Sequence, residues 1–439
     1  MSNLTLIANP TKTISGKIFV PGDKSISHRA IIFSMLCEGQ TTIHNLLESE
    51  DVRRTIDVSK SLGLNIVTNQ KCIEIKGLGI DGLSEPNKEL DFGNSGTSIR
   101  LFMGILASQK FNTTLTGDNS LLKRPMERVA SPLRLMGANI STNNGNAPVT
   151  IKPPLGSLNG INYKLNIPSA QIKSAIILAS LFCRNKTILH TDTVTRDHTE
   201  NMLGLFNYPI SKIKNSIEVN PGRLQSPNII KVPGDFSSAS FFIIAALLSE
   251  DSRIVIRDVG LNPTRTGLIN ILQLMGADID IEITNNSYEA TGNIIVSSSK
   301  LIGIEVPNEL ISLAIDELPL IFLAASVATG ETTIRNAEEL RFKESDRIKS
   351  MVDLLKNLSV EVNEYQDGLT IKGGTISGGL VDSFGDHRIA MTALVASSVA
   401  KEKIEVENCE NINTSFPSFI TLMNSIGMNI IQKELWIYR

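Results

Sequence analysis

Several short stretches of this sequence bring small residues and cations to what read as helix starts. Gly22-Asp23-Lys24-Ser25 precedes an apolar run, and Asp23 or Ser25 is placed to cap a helix there. The free N–H groups and dipole of a helix start favour phosphate or carboxylate. Lys24 adds a point charge, and Ser25 and Arg29 fall at i and i+4 on one face. The segment is not a P-loop, because G-x-x-x-x-G-K is missing. Asp91 to Arg100, with Asn94 and Gly96 at its centre, reads as a second strand-to-helix turn, where Gly96 lets a ligand approach the backbone. Gly117 to Met126 follows as a loop that presents Arg124 beside Pro125, a guanidinium suited to bidentate contact with phosphate or carboxylate. Pro168-Ser169-Ala170-Gln171-Ile172-Lys173 and Arg196-Asp197-His198-Thr199-Glu200 open two more helices. His198 is better read as a structural helix-start histidine than as a catalyst.

Acidic residues accompany these cations. Asp316-Glu317 lies within the apolar sequence Ile311 to Val327, where carboxylates cost several kcal/mol unless paired or open to a cleft. At least one of them is therefore a candidate base, with a structural ion pair as the competing explanation. Arg341 to Arg347 reads as a charged helix with Lys343 and Arg347 at i and i+4 and Glu344 beside that face. Phe384-Gly385-Asp386-His387-Arg388 leads into the apolar run Ile389 to Val399, one more helix start with an arginine. Taken singly, each stretch has an ordinary explanation as a turn, a solvated helix start or a surface charge run. Taken together, they suggest helix starts that converge on one anionic ligand.

A weak internal repeat positions them. A helix ending in Leu/Met-x-Gly-x and followed by polar/apolar alternation occurs at Leu62-Gly63-Leu64, Met136-Gly137-Ala138, Met275-Gly276-Ala277 and Ile426-Gly427-Met428. Degenerate versions stand at Phe206-Asn207-Tyr208 and Leu358-Ser359-Val360. Gly or Asn just past a helix is the signal of a left-handed C-cap. A β-like run recurs around Thr42, Thr114, Ile188, Val255, Thr333 and Ile404, at steps of 67 to 78 residues. Six units near one period, each with strands and two helices, predict an α/β repeat architecture. Val20-Pro21-Gly22-Asp23-Lys24-Ser25 and Val232-Pro233-Gly234-Asp235-Phe236-Ser237 are near-duplicates that mark crossovers between two sets of three units. The expected domains are 21–237, inserted, and 1–20 with 238–439, discontinuous.

Composition narrows the function. A chain of 439 residues is expected to form two domains. One Trp, five Tyr and a net charge of −3 disfavour a surface built to bind nucleic acid or an anionic membrane. No apolar run approaches the ~18 residues that span a bilayer, and residues 1–13 lack a secretory signal pattern. Cys37, Cys72, Cys183 and Cys409 are scattered without C-x-x-C spacing, which reads as reduced thiols in a cytoplasmic protein. H-E-x-x-H and G-x-G-x-x-G are missing, so neither a zinc-protease helix nor a dinucleotide fingerprint is expected.

Over essentially its whole length the chain resembles the 5-enolpyruvylshikimate-3-phosphate synthases. The carrying motifs are Pro21 to Ser25 through Arg29, Gly93-Asn94-Ser95-Gly96-Thr97, Arg124-Pro125, Ser169-Ala170-Gln171, Asp316-Glu317, Lys343 to Arg347 and Asp386-His387-Arg388. The resemblance implies a two-domain inside-out α/β barrel of six βαβαββ-like repeats, three per domain, with the active site in the interdomain cleft. It implies transfer of the enolpyruvyl group of phosphoenolpyruvate to the 5-hydroxyl of shikimate 3-phosphate, in aromatic amino-acid biosynthesis. By the same resemblance Glu344 is the acid for the methylene, Asp316 the base near the 5-hydroxyl, and Lys24 shares proton transfer. Lys24, Gly96, Arg124, Gln171, Arg347 and Arg388 are implied for phosphoenolpyruvate, with Asn94 beside Gly96. Ser25, Arg29, Ser169, Ala170, Gln171, Arg196, Asp316 and Lys343 are implied for shikimate 3-phosphate, Ala170 through its backbone alone. No metal or organic cofactor is implied, nor a nucleic-acid or membrane partner, and the chain is expected to act as a monomer.

Two departures bear on this. A lysine that many members carry before the late Phe-Pro is replaced by Thr414-Ser415-Phe416-Pro417. Gly22 to Ser25, Ser169 to Lys173, Arg196 to Glu200 and Asn262-Pro263-Thr264-Arg265 resemble the glyphosate-tolerant branch, whose members often have Ala where Gly96 stands here. The rival enolpyruvyl transferases, acting on UDP-N-acetylglucosamine, usually present a Cys on the loop before Arg-Pro. Here that loop is Ser120-Leu121-Leu122-Lys123. A non-catalytic sugar-phosphate binding protein on the same repeat is the other alternative, and it would not need Asp316 and Glu344 beside the cations.

Overall fold

A computed structural model describes residues 4–69, 72–208 and 210–433. The chain divides into two compact units, Gly22–Val232 and the pair of segments Met1–Pro21 with Pro233–Arg439. Both are built by repetition of one motif.

Within Gly22–Val232, one copy runs strand Leu90–Asp91, helix Gly96–Leu106, strand Thr113–Thr116, helix Glu127–Leu135 and the hairpin Asn139–Asn143/Asn146–Lys152. Its four strands line up first, second, fourth, third, with the first pair parallel and the rest antiparallel. The next copy repeats that order from Asn162–Lys164 to Ser216–Val219, around helices Ala170–Ser180 and His198–Leu205. The first copy holds helices Lys24–Leu36 and Glu50–Ser61. It takes its first strand, Ile229–Lys231, from the far end of the segment, parallel to Gln40–His44.

The other unit closes on itself in the same way. Ser15–Phe19 supplies the first strand beside Arg253–Gly260, and Leu6–Asn9 pairs with both Ile404–Glu407 and Asn429–Gln432. In its middle copy the first strand is reduced to isolated parallel bridges, Ile302 to Thr329 and Glu305 to Thr333.

The first helix of each copy is buried nearly all round. Helix Phe236–Leu248 buries every residue through Leu247, and helix Ala170–Ser180 buries Ile172 to Ser180. A helix apolar on every side belongs in a core. The second helices are amphipathic, as in Arg347–Asn357, and most strands alternate buried with more exposed residues. Helices thus form the interior of each unit, with sheets outside them.

The recurring helix ends are left-handed caps. Gly63, Gly137, Gly276 and Gly427 have φ between 93° and 114°, and Asn207 and Ser359 take φ of 57° and 67° at the two degenerate positions. Asn tolerates this region better than Ser, which has to be held there by its surroundings.

The boundary expected after residue 237 needs correction. Pro233–Ser237 packs with the segment that follows: Gly234 N–H donates to the Asp258 carbonyl at 2.8 Å and Asp235 N–H to the Pro21 carbonyl at 2.9 Å. At both near-duplicates the chain leaves a first strand of one unit for a first helix of the other. Among the described residues no helix is long and apolar enough to cross a membrane.

Candidate active site

In Gly22–Val232 the three first helices bring their N-termini together. Asp23 caps helix Lys24–Leu36, accepting from Ile26 N–H at 2.8 Å, so the cap falls to Asp23 and leaves Ser25 in the first turn. Lys24 Nζ lies 3.1 Å from Asp51 Oδ2 at the start of the neighbouring helix. Arg29 is buried, its Nη1 donating to the Ser25 carbonyl at 3.0 Å, its Nε to Thr199 at 2.8 Å and its Nη2 to Ser174 at 3.0 Å. It therefore ties the first copy to the third.

Ser95 caps helix Gly96–Leu106 and Ser169 caps helix Ala170–Ser180. Gln171 joins these two starts: its Nε2 donates to Thr97 at 3.0 Å and its Oε1 accepts from Arg100 Nη1. Arg100 also reaches the Pro125 carbonyl at 3.2 Å. Arg124, expected on an open loop, is buried beyond a short 3-10 turn, where Nη2 donates to Asn94 Oδ1 and to Ser120. A Cβ on Gly96 would stand 2.9 Å from Arg124 Nη1, so the glycine makes room for that guanidinium. Lys24, Ser25, Arg29, Asn94, Gly96, Arg124, Ser169, Ala170 and Gln171 thus all sit at or beside three helix starts. Arg196 is half-buried just before helix His198–Leu205. His198 is buried at that helix start, in keeping with a structural role.

Beneath Lys24, His28 is fully buried, with Nδ1 2.7 Å from the Thr55 hydroxyl, which donates to Ser98 at 2.8 Å. Burial first, then the charges of Lys24 and Arg29, lowers its pKa from 6.5 to about 3, so the ring is neutral.

The second constellation lies in the other unit, again at three first-helix starts. Asp235, Glu317 and Asp386 hold the N-cap positions of helices Phe236–Leu248, Leu318–Ala325 and His387–Ala396. Arg347 is the hub. Its Nε is 2.8 Å from Asp386 Oδ2, its Nη2 2.6 Å from Glu344 Oε2 and its Nη1 3.4 Å from Asp316 Oδ1. Burial works against its charge, but the three carboxylates outweigh it and raise its pKa. Burial likewise acts to raise Asp386, and the Arg347 charge overcomes it and holds that carboxyl below its ordinary range. Lys343 Nζ also reaches Asp316 Oδ1, at 3.4 Å, and Arg388 Nη1 donates to the Asp316 carbonyl at 2.9 Å.

The stretch Lys343 to Arg347 is not the helix its spacing suggests. Residues 338–342 form a 3-10 turn and Lys343 is extended. Asp346 then caps helix Arg347–Asn357, accepting from Lys349 N–H at 3.1 Å. A capping Asp requires non-helical backbone at its own position. Lys343 and Arg347 converge on Asp316 because of that break, not through an i, i+4 face. Asp316 is ion-paired, and its side chain keeps 14% exposure.

The family model described as EPSP synthase (3-phosphoshikimate 1-carboxyvinyltransferase) matches residues 8–423. The chain belongs to this family. It is 45% identical over 424 residues to 3-phosphoshikimate 1-carboxyvinyltransferase of Coxiella burnetii (strain RSA 493 / Nine Mile phase I), covering 96% of this chain and 97% of the relative. It is 45% identical over 430 residues to the protein of that name from Legionella pneumophila (strain Lens), covering 97% and 99%. The solved EPSP synthase of Acinetobacter baumannii superposes with a TM-score of 0.87 at 41% identity, covering 99% of this chain and 100% of that one.

Membership in the EPSP synthases does not by itself reveal the residues that hold the others in place. Asp51 beside Lys24, Arg100 beside Gln171, and the contact of Arg265 with Ser237 were not expected as site components. Arg100 had a signal: it is the lone charge in the otherwise apolar or hydroxylic helix Thr97 to Leu106. Glu317, wholly buried, accepts from Ser237 and lies 3.5 Å from Arg388 Nη1, a partnership that spans 71 residues and that local spacing cannot reveal.

Proposed function

We propose that the two constellations serve a single reaction, transfer of the enolpyruvyl group of phosphoenolpyruvate to the 5-hydroxyl of shikimate 3-phosphate with release of phosphate. The observation that carries it is the grouping of two partly exposed carboxylates, Asp316 and Glu344, around the buried Arg347, with Lys343 and Arg388 alongside. Anion binding alone would need the cations; acid–base chemistry needs the carboxylates as well.

In this proposal Glu344 protonates the methylene of phosphoenolpyruvate, and Asp316 takes the proton of the 5-hydroxyl as its oxygen attacks the cationic carbon. Loss of phosphate from the tetrahedral adduct, with return of a proton from the new methyl group, restores the enol ether. Lys24 shares the proton work while neutralising substrate charge. Lys24, Gly96 with Asn94, Arg124, Gln171, Arg347 and Arg388 hold phosphoenolpyruvate. Ser25, Arg29, Ser169, Ala170 through its N–H, Gln171, Arg196, Asp316 and Lys343 hold shikimate 3-phosphate. Fixed cations and helix-start N–H groups offset the repulsion between two polyanions without reorganising during the reaction.

The test is phosphate release from phosphoenolpyruvate with shikimate 3-phosphate or UDP-N-acetylglucosamine as acceptor. Turnover with shikimate 3-phosphate alone is expected. Turnover with the UDP-sugar alone, or none with either acceptor in well-folded protein, overturns the proposal.

A further inference from the structure

Lys173 and Glu200 form a buried ion pair outside the residues assigned to substrate. Lys173 Nζ is 2.7 Å from Glu200 Oε1, with the two side chains 4% and 1% exposed, and Nζ also donates to the Thr195 carbonyl at 3.3 Å. Each residue lies in the first turn of a helix, Ala170–Ser180 and His198–Leu205. A lysine at a helix start opposes the dipole, and a buried ion pair seldom stabilises a fold more than apolar residues of the same size would. Stability is thus a weak reason for this pair.

Its location gives a better one. Adjacent in sequence to the pair, the same two helices carry Ser174, just after Lys173, and Thr199, just before Glu200; their hydroxyls are 2.7 Å apart and accept from Arg29 Nη2 and Nε. At their mouths stand Ser169, Ala170 and Gln171 on one side and Arg196 on the other. A charge-assisted contact of 2.7 Å fixes both distance and direction, whereas apolar side chains slide.

We propose that the Lys173–Glu200 pair is a positioning device that sets the two helix starts at the spacing required by the phosphate and ring of shikimate 3-phosphate. The inference rests on the assignment of Ser169 to Gln171, Arg29 and Arg196 to that substrate. The pair touches neither substrate and acts through those residues.

The test is the double variant K173M/E200M, which removes both charges while keeping bulk and leaves no buried ion uncompensated. The expected result is a thermal midpoint close to the parent's and a KM for shikimate 3-phosphate raised about tenfold, with kcat and the KM for phosphoenolpyruvate within about twofold. K173R, which keeps the charge, should hold the KM near the parental value. A double variant with parental stability and parental KM for shikimate 3-phosphate makes the pair structural only and overturns the proposal. Should the double variant fail to fold, E200Q is judged by the same criterion. R196A separates this failure from failure of the underlying assignment: if it too leaves the KM for shikimate 3-phosphate unchanged, the assignment is wrong; if it raises that KM, only the positioning role is lost.

Discussion

Arg347 Nη2 lies 2.6 Å from Glu344 Oε2, three residues earlier on the extended turn that leads into helix Arg347–Asn357. The pairing keeps the Glu344 carboxylate oriented while its side chain remains 22% exposed. Glu344→Gln retains size and a hydrogen bond to Arg347 but cannot deliver a proton. Turnover should fall by about 10²- to 10⁴-fold, the usual worth of a general acid, with substrate binding little changed. Steady-state kinetics with calorimetric titration of shikimate 3-phosphate checks this. Because Arg347 keeps Asp386 and Asp316, the loss of stability should stay near ~1 kcal/mol. An unchanged rate removes Glu344 from the chemistry.

Asp386 is the partner whose loss the fold should feel. It is wholly buried, caps helix His387–Ala396 and holds Arg347 through two contacts, 2.8 and 3.3 Å. Asp386→Asn preserves the cap, since Asn serves there as well as Asp, and so isolates the charge. The expected cost at pH 7 is about 3 kcal/mol, the low end for breaking a buried pair, because Glu344 and Asp316 still face Arg347. The folded pKa of Asp386 is depressed below the ordinary 3.8. Its contribution is therefore fully present above that value and lost as pH falls through the lower, folded one. In urea unfolding, the gap between parent and variant should be constant from about pH 8 to about pH 5 and close below about pH 4. A gap that does not narrow in acid would assign the effect to packing.

Much of this was legible in the residues. The six repeats show in the sequence because each needs a left-handed residue after its second helix, and Gly63, Gly137, Gly276 and Gly427 advertise it. Helix starts show because caps are chosen from few side chains, as at Asp23, Ser95 and Ser169. What stayed hidden were partnerships set by the meeting of repeats. Arg29 with Thr199 is separated by 170 residues and Arg388 with Glu317 by 71, and no local period encodes either. The Lys343–Arg347 stretch misled for the opposite reason: its charge spacing suits a helix, but Asp346 claims the capping position and breaks it.

His28 carries a pH dependence of its own. Its pKa is lowered from 6.5 to about 3, chiefly by burial. Below 6.5 the unfolded chain takes up a proton that the folded state refuses, so stability is fully present above 6.5 and lost as pH falls toward about 3. Between pH 7.5 and 5.5 the parent should lose ~1.4 kcal/mol on this account. His28→Gln should lose that slope, while the other four histidines are common to both proteins. Urea unfolding at the two pH values decides it, and equal slopes for parent and variant would rule out a neutral buried His28.

Gly96 sits where phosphoenolpyruvate specificity should be most sensitive to one methyl group. A Cβ there would stand 2.9 Å from Arg124 Nη1 and 3.4 Å from Arg100 Nη1, both the far ends of flexible side chains. Gly96→Ala should therefore fold normally, with Arg124 pushed aside. Displacing the guanidinium proposed to hold phosphoenolpyruvate by part of an ångström should raise the KM for that substrate about tenfold, within the ~10²-fold that a 1 Å misplacement can cost. The KM for shikimate 3-phosphate should stay near the parental value, because Arg29, Ser169 and Arg196 are untouched. From the residues that resemble the glyphosate-tolerant branch we further propose tolerance with Gly96 in place, and the alanine variant should increase it. Inhibition curves for parent and variant, measured at fixed phosphoenolpyruvate beside a sensitive enzyme, test both statements. A parent curve that overlays the sensitive one defeats the first, and an alanine variant with unchanged KM and inhibition shows that Arg124 does not read the space Gly96 leaves.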